Sequence, residues 1–238
     1  MASSRPKIKV IKLYYLLTKP GIVYGNVLTA AAGFLFATRD AVPWGIFIAM
    51  LGGLALIIAS ACVTNNYLDR DIDARMERTK TRALASGAVA LENALIFSAL
   101  LGVLGIAVLV VFTNLFALLT AVFGWLVYIL AYTPLKRITP YAVFVGAVAG
   151  GVPPVVGYVA AAHTLDAAAV ALFIFLFVWQ IPHFLAIAVY RFEEYTAAGV
   201  PLFMKNAPSV RVRRFARGAF YLSLVVLLGW CLALILQR

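Results

Sequence analysis

Charge is what this sequence has least of. Only 12% of its 238 residues are Asp, Glu, Lys or Arg, where a soluble domain carries about a quarter. Acids are scarcest, nine against twenty basic residues, and histidine occurs twice. Cysteine also occurs twice, at Cys62 and Cys231, in apolar stretches far apart, so nothing supports a disulfide framework or a thiolate metal cluster. The stretch from Met1 to Lys19 lacks the apolar core and small-residue cleavage site of a secretory signal; it reads as a cytoplasmic tail. These shortages exclude an ordinary cytosolic enzyme, a disordered chain and a nucleic-acid-binding module.

Apolar residues fill the gap, at 64% of the chain with a mean hydropathy of +0.99. A membrane-spanning helix needs ~20 such residues in succession. Runs bounded by charge, Pro or Gly give seven candidate spans: Ile22–Ala37, Val42–Tyr67, Leu91–Thr113, Leu115–Thr133, Tyr141–Ala161, Ala167–Tyr190 and Ala219–Leu236. Leu13–Leu17 extends the short first span across Pro20-Gly21, and Pro134 and Pro140 bracket the turn after the fourth. The expected fold is all-α, one polytopic bundle over residues 1–238 embedded in a lipid bilayer.

The net charge of +11 is explained by topology. With these spans, eighteen of the twenty basic residues fall on one side and only Arg39 and Arg238 on the other. Lys and Arg accumulate in cytoplasmic loops, so the N-terminus and the basic loops are expected in the cytoplasm, at the cell (inner) membrane, and the C-terminus outside. Seven of the nine acids lie on the basic side too, leaving Asp40 and Asp166 opposite. The rule for Lys and Arg does not account for that.

The first acidic group is Asn65-Asn66-Tyr67-Leu68-Asp69-Arg70-Asp71-Ile72-Asp73. Asn65, Asp69 and Asp73 are spaced i, i+4, i+8 and stack on one face of a continuing helix, while Asp71 points elsewhere. The second, Arg191-Phe192-Glu193-Glu194, ends the sixth span. Both helices arrive with their C-termini on the basic side, where anions are unfavourable. Magnesium takes a carboxylate or two plus substrate phosphates, so Mg2+ held by Asp69, Asp73, Glu193 and Glu194 and bridging a diphosphate resolves both groups. The competing reading is a pair of solvated loops neutralised by Arg70, Arg75 and Arg78. Basic residues complete the candidate site: Arg78, Lys80, Arg82, Lys136, Arg137 and Arg191 suit a leaving diphosphate. An anionic head below a mostly apolar bundle describes a site for an amphiphile with a long hydrocarbon tail.

The motif N-x-x-x-D-x-x-x-D at Asn65, Asp69 and Asp73, followed by Arg78-Thr79-Lys80-Thr81-Arg82, resembles the first motif of the UbiA superfamily of intramembrane prenyltransferases. Within it, the finer resemblance is to the haem O synthase branch, the protohaem IX farnesyltransferases. Four segments carry it: Thr18-Lys19-Pro20-Gly21 with Gly25-Asn26; Asn65 to Leu84; Gly151-Val152-Pro153-Pro154 with Gly157-Tyr158; and Trp179-Gln180-Ile181-Pro182-His183-Phe184 through Pro201. The resemblance implies transfer of farnesyl from farnesyl diphosphate to a vinyl group of haem b, with Mg2+ as cofactor, water adding and diphosphate leaving. It also implies a working neighbourhood with haem A synthase or another subunit of the terminal oxidase assembly pathway. Two departures stand out. His183 and Tyr190 sit where the superfamily's second motif has Asp, as in the haem O synthase branch, and the family's nine helices exceed the seven spans here, so its last two are expected to be absent.

Among the remaining candidates, His183 lies near the basic end of the sixth span, where an ionisable residue is a functional candidate. It orients the haem, binds its iron, moves a proton, or packs as a hydrogen-bonded histidine; sequence leaves these open. With Asn65, Asp69 and Asp73 it forms the catalytic set. Asn26, Tyr132, Tyr158 and Tyr190 are the candidate substrate contacts, and Pro153-Pro154 is expected to bend the fifth span and widen a cavity. The alternatives are prenylation of a quinone precursor or chlorophyllide, a non-catalytic haem-handling protein, and a transporter. Against the last, the charges gather at one membrane face and do not trace a path across it.

Overall fold

The computed structural model describes residues 7–38 and 41–237. Arg5, Arg39, Asp40 and Arg238, which entered the charge count, lie outside the described residues, as do the side chains of Lys7 and Lys9. Every regular element described is helical. A short helix α1 (Lys7–Leu17) precedes the first span, α2 (Pro20–Ala37). The two do not merge into one helix. Pro20 disfavours helical backbone at the residue before it, and Lys19 takes the left-handed conformation, φ 51° and ψ 64°, as the N-cap of α2.

The second span, α3 (Trp44–Leu68), runs into a one-and-a-half-turn helix α4 (Arg70–Arg75) with Asp69 as the joint. The backbone bonds persist through it, Asp69 N donating to Asn65 O at 2.9 Å and Asp73 N to Asp69 O at 2.8 Å. The expected stacking of Asn65, Asp69 and Asp73 therefore survives a change of helix. All three are buried, and Asp71 is exposed.

The third span is α5 (Leu91–Phe112). The fourth, Leu115–Leu135, is built in three pieces: α6 (Leu115–Leu126), a π-helical turn Val127–Tyr132, and α7 (Thr133–Leu135). Pro134 has no N–H to offer the carbonyl a turn back, and just before it the ladder slips to i→i+5, Thr133 N donating to Tyr128 O. The Thr133 hydroxyl donates to the same carbonyl at 2.8 Å. The last three spans are α8 (Ala142–Ala162), α9 (Ala167–Tyr190) and α11 (Val210–Leu236), with α10 (Phe192–Ala197) following α9. Helix α11 begins nine residues before the expected Ala219, because Ser209 caps it, its hydroxyl accepting from Val212 N at 3.3 Å. Among the described residues seven helices are thus long and apolar enough to cross a membrane, and the chain is a multi-pass membrane protein.

Helix α8 is the central post. Every residue from 151 to 160 is buried, and α2, α3, α6 and α9 pack around it. Close approach to α2 is possible only through glycine. A Cβ on Gly33 would stand 2.1 Å from the Pro154 carbonyl oxygen, and one on Gly157 would stand 1.9 Å from that of Ala30. In lipid, where helix association gains little from hydrophobicity, such small-residue crossings let van der Waals contact hold the bundle. The same contact disposes of the cavity expected at Pro153-Pro154. Both prolines are buried, α8 continues through them, and the Pro154 carbonyl abuts α2. Their neighbours Val152 and Val155 do line an apolar cleft of about 380 Å³, but it opens between α6, α8 and α9. Outward faces are apolar as lipid demands, with Val103, Val110 and Val111 on α5 and Leu222 and Val225 on α11 all exposed.

Candidate active site at the basic end of the bundle

Two loops meet beneath the bundle. The segment after α3 and the segment after α9 share a small apolar cluster of Ile72, Met76 and Ala198, flanked by Tyr195 and Val200. Across it, Arg78 Nε donates to Glu194 Oε2 at 3.3 Å. The two acidic helix ends, 120 residues apart in sequence, are neighbours in space.

Within that region the carboxylates fall into two kinds. Asp69 and Asp73 are 4% and 3% exposed. Arg82 NH1 donates to both oxygens of Asp73, at 2.9 and 2.8 Å, and the Thr79 hydroxyl donates to the Asp73 carbonyl at 2.9 Å. Lys136 donates to Asp69 Oδ2. Asp69 Oδ1 is buried with no hydrogen-bond partner, the Arg137 Nε standing 3.9 Å away. Asp71, by contrast, is at the surface, where its hydrogen bonds from Arg137 hold its carboxyl below the usual range. Glu193 is taken by Arg213 and Glu194 by Arg191 NH1 at 2.7 Å and by Arg78. Lys80 pairs with Glu77 at 2.6 Å, both well exposed.

Asn65 links this face to two elements. Its Nδ2 donates to Thr133 Oγ1 at 3.0 Å, and its Oδ1 accepts from Lys19. Burial pushes the Lys19 ammonium down to about 8, against an ordinary 10.5. Lys19 thus joins the site, as does Thr133; the first was visible only as part of a resemblance segment, and the second carried no signal at all. Tyr132 lies beside Lys136, whose ammonium sits 5.5 Å from its ring centroid. Both line a pocket of about 200 Å³ with Phe184 and Ile187 of α9, Tyr195 of α10 and Phe203. Burial pushes the Tyr195 phenol up.

Other candidates are placed elsewhere. Tyr158 lies near the opposite end of α8, its hydroxyl donating to Asp166 Oδ2 at 2.9 Å where Asp166 caps α9. Asn26 turns its amide to the Ile22 carbonyl within α2, at 2.7 Å. Tyr190 stacks beneath Arg191 and contacts the Phe220 ring, 5.6 Å between centroids. His183 faces α11: Nδ1 is 2.7 Å from Ser223 Oγ, and the ring stacks on Trp179 at 4.9 Å and lies 4.8 Å from Phe220. Nothing in the sequence pointed to Ser223, one hydroxyl in a long apolar run.

Whether these residues suit a magnesium diphosphate turns on the donor set. Among the described residues no three of His, Cys, Asp and Glu come together as a metal cage. Magnesium does not need one when the substrate brings phosphate oxygens. A buried carboxylate oxygen without a hydrogen bond, on Asp69, beside Lys136 and Arg137 and one turn from the Asp73–Arg82 pair, fits that mode.

The fold and the site, an all-helical membrane bundle with paired carboxylates inside a basic shell at one end, define an intramembrane prenyltransferase. The chain belongs to the UbiA prenyltransferase family, whose profile matches residues 26–237; it is a membrane transferase. Curated relatives carry a more specific name, protoheme IX farnesyltransferase. The one from Marinomonas sp. (strain MWYL1) is 43% identical over 206 residues, 86% of this chain and 70% of that protein. The one from Edwardsiella ictaluri (strain 93-146) is 40% identical over 230 residues, 93% of this chain and 78% of that protein. Among solved structures, a UbiA homologue from Archaeoglobus fulgidus bound to DMAPP and Mg2+ shares the fold, with a TM-score of 0.65 at 18% identity over 90% of this chain and 74% of that one.

Proposed function

We propose that the chain farnesylates haem b, joining the C1 carbon of farnesyl diphosphate to a vinyl group of the porphyrin. The names of its relatives supply the two substrates. The observation that carries the chemistry is the buried Asp69 Oδ1, free of any hydrogen bond among the cations of the basic end. In the reaction the C1–O bond breaks and its electron pair leaves with diphosphate. The vinyl π pair closes the new carbon–carbon bond. Water adds to the resulting porphyrin-side cation and gives up a proton, leaving a hydroxyethylfarnesyl group.

Each residue has a task in this scheme. Asp69 and Asp73 hold Mg2+, which when bound draws off the negative charge gathering on the leaving diphosphate. Arg78, Arg82, Lys136, Arg137 and Arg191 supply further positive charge to its oxygens. In the ligand-free arrangement these same cations neutralise the carboxylates, so binding exchanges one set of partners for another without stripping either of charge. Asn65 and Thr133 keep Asp69's helix in register with Lys136. The pocket beside Lys136 is walled by Phe184, Ile187, Val143 and Leu202, which exclude water from an allylic cation. At about 200 Å³ it falls short of the ~300–1,000 Å³ typical of whole-ligand sites, so it takes one end of the isoprenoid and not the macrocycle. The basic end faces the cytoplasm, as the excess of Lys and Arg there requires.

The test is direct. Purified protein in lipid nanodiscs receives haem b, farnesyl diphosphate and Mg2+, and the extracted haem is weighed by mass spectrometry. A gain equal to one farnesyl group plus water is expected. An unchanged haem, or a different acceptor modified in its place, refutes the proposal.

A further inference from the structure

We infer that His183 ligates the iron of the haem acceptor through Nε2, with Ser223 fixing the tautomer that makes this possible. The inference rests on haem being the acceptor. His183 follows Leu176 by seven residues on a stripe of α9 that includes Ala169 and Leu172; those three are buried, so the stripe faces the bundle. His183 itself is only half-buried, and from residue 177 to 190 no residue of α9 is fully buried.

Its hydrogen bonding decides which nitrogen is available. Ser223 Oγ donates to the Phe220 carbonyl at 2.6 Å, which spends its one proton. Toward His183 Nδ1, 2.7 Å away, the hydroxyl oxygen must therefore accept. The proton sits on Nδ1 and the lone pair on Nε2. No described residue bonds Nε2. Trp179, stacked on the ring at 23° and donating its own Nε1–H to the Ser223 carbonyl at 3.1 Å, locks the imidazole plane. A ring nitrogen oriented from behind and left bare in front is the usual arrangement of a metal-binding histidine, and imidazole is a common axial ligand of haem.

No other described side chain competes well. His163 lies exposed past the far end of α8, 3.3 Å from Asn114 Nδ2. The sulfurs of Cys62, Cys231, Met50 and Met76 belong to residues at most 6% exposed, and Met204, the one exposed sulfur among the described residues, stands in the loop between α10 and α11. Iron ligation at His183 fixes the macrocycle against α9, whose next turn, Phe184, Ile187 and Ala188, walls the pocket beside Lys136. Ser223 is a positioning residue in this scheme, acting through the imidazole.

The experiment titrates the purified protein with ferric haem b and reads the absorption, EPR and, after reduction, the resonance Raman iron–histidine stretch. The wild type shows histidine ligation. His183→Ala loses it while keeping its thermal unfolding temperature, and added free imidazole restores it. Ser223→Ala retains a ligand but weakens haem binding about 10-fold, as loss of an outer-shell partner does, and shifts the iron–histidine stretch, which a purely structural hydroxyl would not. A folded His183→Ala protein with the wild-type spectrum, or no rescue by imidazole, overturns the inference. Farnesylation is measured separately. Product formation by the wild type, together with a His183→Ala spectrum identical to the wild type's, sinks the ligand assignment and leaves the reaction standing; histidine-ligated haem that is never farnesylated does the reverse.

Discussion

Substituting Gly157 by alanine tests the packing on which the bundle depends. The new methyl would sit 1.9 Å from the Ala30 carbonyl oxygen, 2.8 Å from its carbon and 2.9 Å from Phe34 N, all backbone atoms of α2. No side chain can swing aside. Ordinary contact begins near 3.4 Å, so α2 must withdraw by roughly 1.5 Å along its crossing with α8. Over-packing of this kind costs about 1–3 kcal/mol where side chains yield; here backbone must yield, and about 3 kcal/mol is expected. Helix α2 also carries Lys19, which donates to Asn65, so catalysis falls as well. Gly52→Ala is the control. It lies in the interior of α3 with nothing within 4 Å of its added Cβ, and gains up to about 1 kcal/mol of helix propensity. The assay is thermal unfolding of both variants in one detergent, followed by tryptophan fluorescence. Opposite signs are expected, down for Gly157→Ala and level or up for Gly52→Ala. An unchanged midpoint for Gly157→Ala would refute the close crossing of α2 and α8.

Four further outcomes can be checked. Asp69→Asn or Asp73→Asn should lower farnesylation about 10²–10³-fold, the usual loss on removing one preorganised charge contact, without loss of membrane insertion. Arg82→Gln strands the Asp73 carboxylate, 3% exposed, and should destabilise by about 3 kcal/mol; adding Asp73→Asn should recover most of that, a coupling that chemical denaturation of all four proteins measures. The Lys19 ammonium, pushed down to about 8 from 10.5, makes the unfolded chain bind the extra proton between those values. Unfolding free energy then rises with pH through that window, the burial penalty being fully present below pH 8; Lys19→Met should lose this slope. Cysteine-accessibility labelling at Ser86 should report the cytoplasmic face, and an external location would reverse the proposed orientation.

Helix number was legible because lipid demands long apolar runs, and Ala167–Tyr190 was recovered to the residue, whereas the capped, basic start of α11 at Val210 was not. Orientation about each helix axis was not, since α3 and α5 are apolar on the faces that meet lipid and on those that meet protein. Tyr158, grouped with the site, bonds to Asp166 near the opposite end of α8. The carboxylate spacing was readable, because a four-residue repeat of polar groups at a helix end is rare among aliphatic neighbours. Its partners were not: Asp69 meets Lys136 and Asp73 meets Arg82 through the joint at Asp69 and the π-helical turn at Val127–Tyr132, local departures with no periodic signature. The basic stretch from Lys205 to Arg217 contributes Arg213 to Glu193, which charge counting alone does not separate from its neighbours.

The central claim is that Asp69 and Asp73 grip a diphosphate through a divalent ion. Manganese, a paramagnetic substitute for magnesium, reports this directly in the presence of farnesyl thiolodiphosphate, an unreactive analogue. The account predicts one tightly bound ion per chain with ³¹P couplings in its electron–nuclear double resonance spectrum, both lost in Asp69→Asn and in Asp73→Asn. A manganese signal that survives both substitutions, or one with no phosphorus coupling, contradicts it.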